Sequence, residues 1–206
     1  MYVQKYYEQF KFLRLRLFEW RYELDTLQKI VLALGFAALT GLFAQLRFYL
    51  PFTPVPITGQ VFAVLITAMF LGKWWGSASQ AIYVGAGAGG VPWFQSFTSG
   101  IGVITGVTGG YLIGFIFAAL FIGWMVDKYT SARSFYGLLV VLSIGIGIIY
   151  LFGAVQFALV WHLSLSEVIM MGVLPFILLD LMKMLGACWL GFFLLPKEPI
   201  GTHPIQ

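Results

Sequence analysis

Apolar residues run in long blocks along this chain, and the breaks between blocks carry the glycines, prolines and charges. Set against turn signals, the blocks give six apolar spans, at about 29–50, 59–72, 77–91, 109–126, 136–161 and 168–195. A helix needs about 20 apolar residues to cross a hydrocarbon layer ~30 Å thick. Four of the spans are long enough. The second and third are short, and need snorkelling ends, local thinning or help from adjoining loops. The pattern predicts an all-α integral membrane protein. Six transmembrane helices over residues 29–195 form one domain, preceded by an extension (1–28) and followed by a tail (196–206).

Composition supports lipid as the solvent. Of 206 residues, 60% are hydrophobic and 10% are charged, whereas about a quarter of a soluble domain is charged. A core of this size cannot hide so much apolar side chain. The single cysteine, Cys188, excludes an internal disulfide and a cysteine metal cluster. His162 and His203 are far apart in the chain. No metal, cofactor or nucleic acid is expected.

Charge then orients the spans. If they alternate, ten of the twelve basic residues fall on one side: Lys5, Lys11, Arg14, Arg16, Arg21, Lys29, Lys73, Lys128, Arg133 and Lys197. Arg47 lies opposite, and Lys183 lies within the sixth span. The positive-inside rule therefore places both termini in the cytoplasm. In the extension, Phe10, Leu13, Leu17, Trp20 and Leu24 recur at spacings of three and four, with basic and acidic residues between them. That suits an amphipathic helix on the cytoplasmic leaflet; the plainer alternative is a partly ordered basic tail.

Small residues form a second pattern. Ala33, Ala37 and Gly41 lie four apart on one face of the first span. Such a stripe lets another helix approach closely, from this chain or from a partner. GAGAGG at 85–90 has the form of a dinucleotide fingerprint but closes a membrane span, and the next acid is Asp127. Helix packing explains it better. No G-x-x-x-x-G-K-[ST] stretch occurs, so an ATP-driven process would need its nucleotide site on another subunit.

The strongest candidate chemistry lies in FILLDLMKMLGACWLGFFLL, residues 176–195, where Asp180 and Lys183 stand one turn apart in an apolar run. Each charge near mid-membrane costs about 2.5–3.5 kcal/mol on insertion scales. An inert ion pair is one reading. The other is a polar pocket whose ligand completes the pair's hydrogen bonding, with Asp180 accepting and Lys183 donating. A cyclic urea, a carboxylate held by Lys183, or a proton relay through Asp180 all fit the spacing. Gln60, Tyr83, Thr98, Ser99 and Tyr111 offer further hydrogen bonds, and Trp93 can cover apolar ligand surface. The loops PFTPVPIT (51–58) and PWFQSFTSGIGVITGVT (92–108) would cap a cavity on the outer side.

PFTPVPITGQVFAVLITAMFLG, GGVPWFQSFTSGIGVITGVTGGYLIGF and the DLMK of the last span resemble the BioY biotin-transporter family. The resemblance covers about residues 29–195. It implies the substrate-capturing S component of an energy-coupling-factor (ECF) transporter: a six-helix bundle that binds biotin near the outer face of the plasma membrane. Its implied partners are a membrane coupling subunit and cytoplasmic ATPases, and it performs no chemistry on its substrate. Asp180 and Lys183 match the family's D-x-x-K pair, Gln60 matches the glutamine after its P-V-P loop, and Ala33 and Ala37 match its docking face. The chain departs from the family at Thr98, where some members have an asparagine, and at Leu112, where some have an arginine. An S component for another vitamin and a solitary proton-driven carrier are the rival expectations.

Overall fold

The computed structural model describes residues 2–197. Helix α1 runs Tyr2–Glu23 and α2 runs Thr26–Ala44, with Asp25 and Gln28 forming a reciprocal capping box between them. A two-stranded antiparallel hairpin follows, β1 (Arg47–Phe48) against β2 (Ile57–Thr58), with the proline-rich loop as its turn. Next come α3 (Gln60–Ala88), α4 (Ile101–Thr105), α5 (Gly109–Lys128), α6 (Phe135–Trp161), α7 (Leu165–Gly172) and α8 (Leu174–Leu194). Five of these, α2, α3, α5, α6 and α8, are long and apolar enough to cross a membrane.

Helix α3 is not straight. At Gly72 the backbone takes φ 75° and ψ −169°, a region that is essentially closed to side chains. The second arm doubles back on the first, so that a Cβ at Gly76 would lie 3.2 Å from Ala68 Cα. The two short spans expected at 59–72 and 77–91 correspond to these arms. A carboxylate from elsewhere secures the bend, since Asp127 Oδ2 accepts from the Lys73 backbone N–H at 2.8 Å. That N–H is one of the orphan donors at the start of the second arm. Helix α5 also passes close here, and a Cβ on Gly123 would lie 2.4 Å from Gly72 C.

The core lies between α3, α5, α6 and α8. Leu65, Met69, Ala118, Ala119, Ile122, Leu138, Leu142 and Ala187 are fully buried in it. The lipid-sized exterior is apolar by the same token, with Leu42, Val140, Leu151 and Leu178 all exposed.

The last apolar run is interrupted. Helix α7 stops at Gly172, Val173 leaves helical geometry at φ −128°, and Pro175 opens α8, where its missing N–H costs nothing. Counted from Glu167, Asp180 would lie about 20 Å along one continuous helix. With the break it stands only two turns into α8.

Helix α1 packs across the end of the bundle where α3 bends and α8 finishes. Of the stripe expected to face the leaflet, all but Leu24 is left open, and a neighbouring face docks on the bundle. Leu15, Phe18, Arg21 and Leu24 are buried, while Phe10, Leu13, Leu17 and Trp20 remain exposed. Arg21 decides this: it pairs with Asp127 and donates to Phe70 O at 3.1 Å. Its guanidinium also lies 3.8 Å from the centre of the Phe18 ring. Arg14 donates to Phe192 O and Leu195 O at the end of α8. Most of the expected tail, residues 198–206, lies outside the described residues.

Candidate functional site

At the opposite end of the bundle, the β1–β2 hairpin, the loop after α3, and α5, α6 and α8 enclose a cavity. Its polar lining is Thr58, Gln60, Gln95, Thr108, Tyr111, Tyr150, Asp180 and Lys183. Val55, Ile57, Phe115, Ile149 and Phe176 supply apolar walls. A concave, mainly apolar chamber with a few convergent polar groups is the usual form of a small-molecule site.

Asp180 and Lys183 meet in its lining. Lys183 Nζ donates to Asp180 Oδ1 at 2.7 Å, and Asp180 is only 4% exposed. The pair therefore faces the bundle interior rather than lipid, where intramembrane charges generally sit. The second oxygen, Oδ2, accepts from the Tyr150 hydroxyl at 2.6 Å. Tyr150 was absent from the sequence expectation, since nothing in the apolar run of α6 sets it apart from an interfacial tyrosine.

Gln60 opens α3 as expected and lines the cavity. Its Oε1 accepts from Thr58 Oγ1 at 2.8 Å, and its Nε2 donates to Tyr83 Oη at 2.8 Å. Tyr83 is fully buried behind it and does not reach the lining. Trp93 closes this layer. Its indole N–H donates to Tyr83 O at 2.9 Å, and its carbonyl accepts from Tyr83 Oη at 3.2 Å. Tyr83 thus backs Gln60, Trp93 backs Tyr83, and neither is among the residues that line the cavity. Tyr111 lines the cavity, but its hydroxyl donates to Gly172 O at 2.7 Å, tying α5 to the α7–α8 junction.

Thr98 and Ser99 stand outside the lining. Ser96 and Phe97 take positive φ values of 61° and 55°, so the chain turns sharply before them. Thr98 then spends its hydroxyl on Gln95 O at 2.7 Å. The loop residue that reaches the cavity is Gln95, placed near Thr108. Gln45, at the end of α2, fastens this loop by donating to Phe94 O at 2.9 Å and accepting from Phe97 N at 3.1 Å.

The small-residue stripe is covered by this chain. Ala33, Ala37 and Gly41 are buried against α3 and its following loop; Ser79 Oγ donates to Ala33 O at 2.8 Å, and a Cβ on Gly41 would lie 2.9 Å from Trp93 Cβ. The stripe therefore serves internal packing, and the partner docking expected of Ala33, Ala37 and Gly41 is corrected, since all three are buried within this chain. The open face of α2 carries Val31, Leu34, Gly35, Ala38 and Leu42 instead.

A model of the BioY family matches residues 15–197 of this chain. The chain belongs to the BioY family. A probable biotin transporter BioY of Methanothermobacter thermautotrophicus is 44% identical over 146 residues, which is 67% of this chain and 92% of that one. The biotin transporter BioY of Thermotoga maritima is 39% identical over 149 residues, covering 72% and 86%. Among solved structures, the S-component for biotin from an ECF-type ABC transporter aligns with a TM-score of 0.75 at 20% identity, covering 82% of this chain and 93% of that one. At that identity the likeness speaks for the fold. Family and apolar helices together make this a multi-pass integral membrane protein of the plasma membrane.

Proposed function

We propose that this protein is the substrate-binding S component of an ECF-type biotin uptake system. The observation that carries the reading is a part-buried Asp180–Lys183 pair lining a cavity, in a chain of the BioY family. Biotin's cyclic urea carries two N–H donors and a carbonyl acceptor. Asp180 would accept from one N–H group and Lys183 would donate to the adjacent carbonyl. Gln60 would meet the ring or the carboxylate, and the apolar walls would bury the sulfur and hydrocarbon tail. Tyr83 would hold Gln60 and Trp93 would hold Tyr83, while Tyr111 would shape the wall.

The α3 arms supply two of six membrane crossings in this reading, with both termini cytoplasmic. Positive charge supports that orientation. Lys73, Lys128, Arg133 and Lys197 all fall at the α1 end, whereas Arg47 lies at the cavity end. Biotin would thus enter from outside. Delivery inward would require a coupling subunit and cytoplasmic ATPases, since the chain has no phosphate-cradling motif of its own. Because Ala33, Ala37 and Gly41 are covered, the coupling subunit would meet the face of α2 around Gly35 and Ala38. At Gly35 an added Cβ would touch nothing within 4 Å.

Helix α1 would lie in the cytoplasmic interface. On a wheel of 100° per residue, exposed Tyr6, Phe10, Leu13, Leu17 and Trp20 occupy a sector of about 80° beside the docked face. Arg16 and Glu23 fall on the remaining, water-facing side. A helix with a protein face, a lipid face and a water face belongs at the bundle's rim.

Biotin titrated against purified protein, with other vitamins as competitors, tests the functional reading. Saturable binding displaced by unlabelled biotin alone is expected. Preferential displacement by another vitamin would reassign the substrate.

A further inference from the structure

The carboxylate of Asp180 is gripped from two helices. Lys183, one turn away on α8, holds Oδ1, while Tyr150 on α6 holds Oδ2 at 2.6 Å. Each carboxylate oxygen accepts at two lone-pair positions, so each retains one after these bonds. Without Tyr150 the carboxylate could turn about its terminal torsion, which is broad and soft. It could then engage the Lys183 ammonium through both oxygens, spending its acceptors within its own helix. The Tyr150 hydroxyl opposes that collapse. It gives Oδ2 a separate donor from a different helix, so that the carboxylate plane is fixed between α6 and α8.

We propose that Tyr150 is a positioning residue for the ligand site, which fixes the Asp180 carboxylate plane so that an acceptor position stays open toward one ureido N–H of the ligand. The proposal rests on the biotin reading and refines it. It makes the site selective for a cyclic urea whose nitrogen facing Asp180 is unsubstituted, and leaves Lys183 two further N–H donors for the urea carbonyl. Tyr150 lines the cavity beside Asp180, and its hydroxyl bears on the ligand through the carboxylate it holds.

Tyr150→Phe removes the hydroxyl and keeps the ring. Biotin affinity should be measured for purified full-length wild type, Y150F, D180N and the double variant, reconstituted in lipid nanodiscs. Wild type should bind saturably, and Y150F should bind about tenfold more weakly, the scale of one hydrogen bond to a charged group. In the D180N background the same change should matter less than about twofold, because the hydroxyl acts through the carboxylate. Of the two biotin derivatives methylated on a single ureido nitrogen, the one that wild type binds more weakly supplies the readout that a purely structural tyrosine would not move. Wild type should discriminate against it more strongly than Y150F does. Unchanged affinity in Y150F, a full-sized loss in D180N, or unchanged discrimination would each overturn the positioning role. Absence of saturable biotin binding by wild type would overturn the functional reading itself, and this role with it.

Discussion

Gln60 and Tyr83 are 23 residues apart within one helical element, yet their side chains share a hydrogen bond of 2.8 Å. On a straight helix they would be about 34 Å apart. The bend at Gly72 brings them together, so the layer supporting the cavity depends on a backbone geometry set at the other end of the bundle. Both Gly72 and Gly123 make that geometry available.

Gly72→Ala should therefore damage the fold. An alanine Cβ would lie 2.5 Å from Asp127 Oδ2 and would force φ 75° on a residue with a side chain. Backbone strain of this kind costs about 1–3 kcal/mol, and the clash adds to it. Thermal unfolding in detergent should show a lowered midpoint, with biotin binding lost in proportion to the unfolded fraction. Unaltered stability would mean that the bend relaxes without cost.

The lipid-facing sector of α1 is open to accessibility measurement. In a Cys188→Ala background, spin labels at Leu13→Cys and Leu17→Cys in nanodiscs should collide more with oxygen than with a water-soluble nickel chelate. A label at Glu23→Cys should show the reverse. Labels at 13 and 17 equally open to the chelate would place that face in water, and labels shielded from both reagents would place it under protein.

The face of α2 assigned to the coupling subunit can be separated from binding. Ala38→Trp projects bulk from an exposed position and leaves the buried stripe untouched. Transport in cells supplied with the coupling and ATPase subunits should drop by about tenfold or more, while biotin affinity of the isolated protein stays within about twofold. Loss of both together would argue against this docking face.

Acid should loosen the start of α7, which lies outside the spanning helices. The Ser164 hydroxyl and backbone N–H both donate to Glu167 Oε2, at 2.6 and 2.8 Å, and these bonds hold the carboxyl below its ordinary value of 4.5. A depressed value means that the cap's contribution is fully present above the ordinary carboxylate range and is lost as pH falls through the lowered value. Amide exchange protection over 165–172, corrected for intrinsic rates, should fall as the solution is acidified through that range. Glu167→Gln should remove most of this dependence; a persistent transition in that variant would assign it to another group.

Much of the architecture was legible because lipid imposes long apolar blocks and confines charge to their ends. The Asp180–Lys183 pair stood out for the same reason, as charge where the solvent forbids it. What was hidden depended on contacts distant in sequence. Tyr150 gains its significance from a carboxylate 30 residues on. On α1, the face that docks on the bundle was hidden because Arg21 finds its partner, Asp127, 106 residues away. Gln95 replaced Thr98 and Ser99 because Ser96 and Phe97 adopt left-handed geometry, and neither is a residue type that announces such a turn. The break before α8 was written in Pro175 but lay inside an otherwise unbroken apolar run.

The central claim is that the part-buried pair exists to bind the vitamin. Titration of biotin into purified wild type, Asp180→Asn and Lys183→Met measures it most directly. Each variant removes one side of the hydrogen bonding, and each should weaken binding by about tenfold or more, equivalent to about 1.4 kcal/mol, with the fold retained. Wild-type affinity in both variants would contradict the account and leave Asp180 and Lys183 as an inert ion pair within α8.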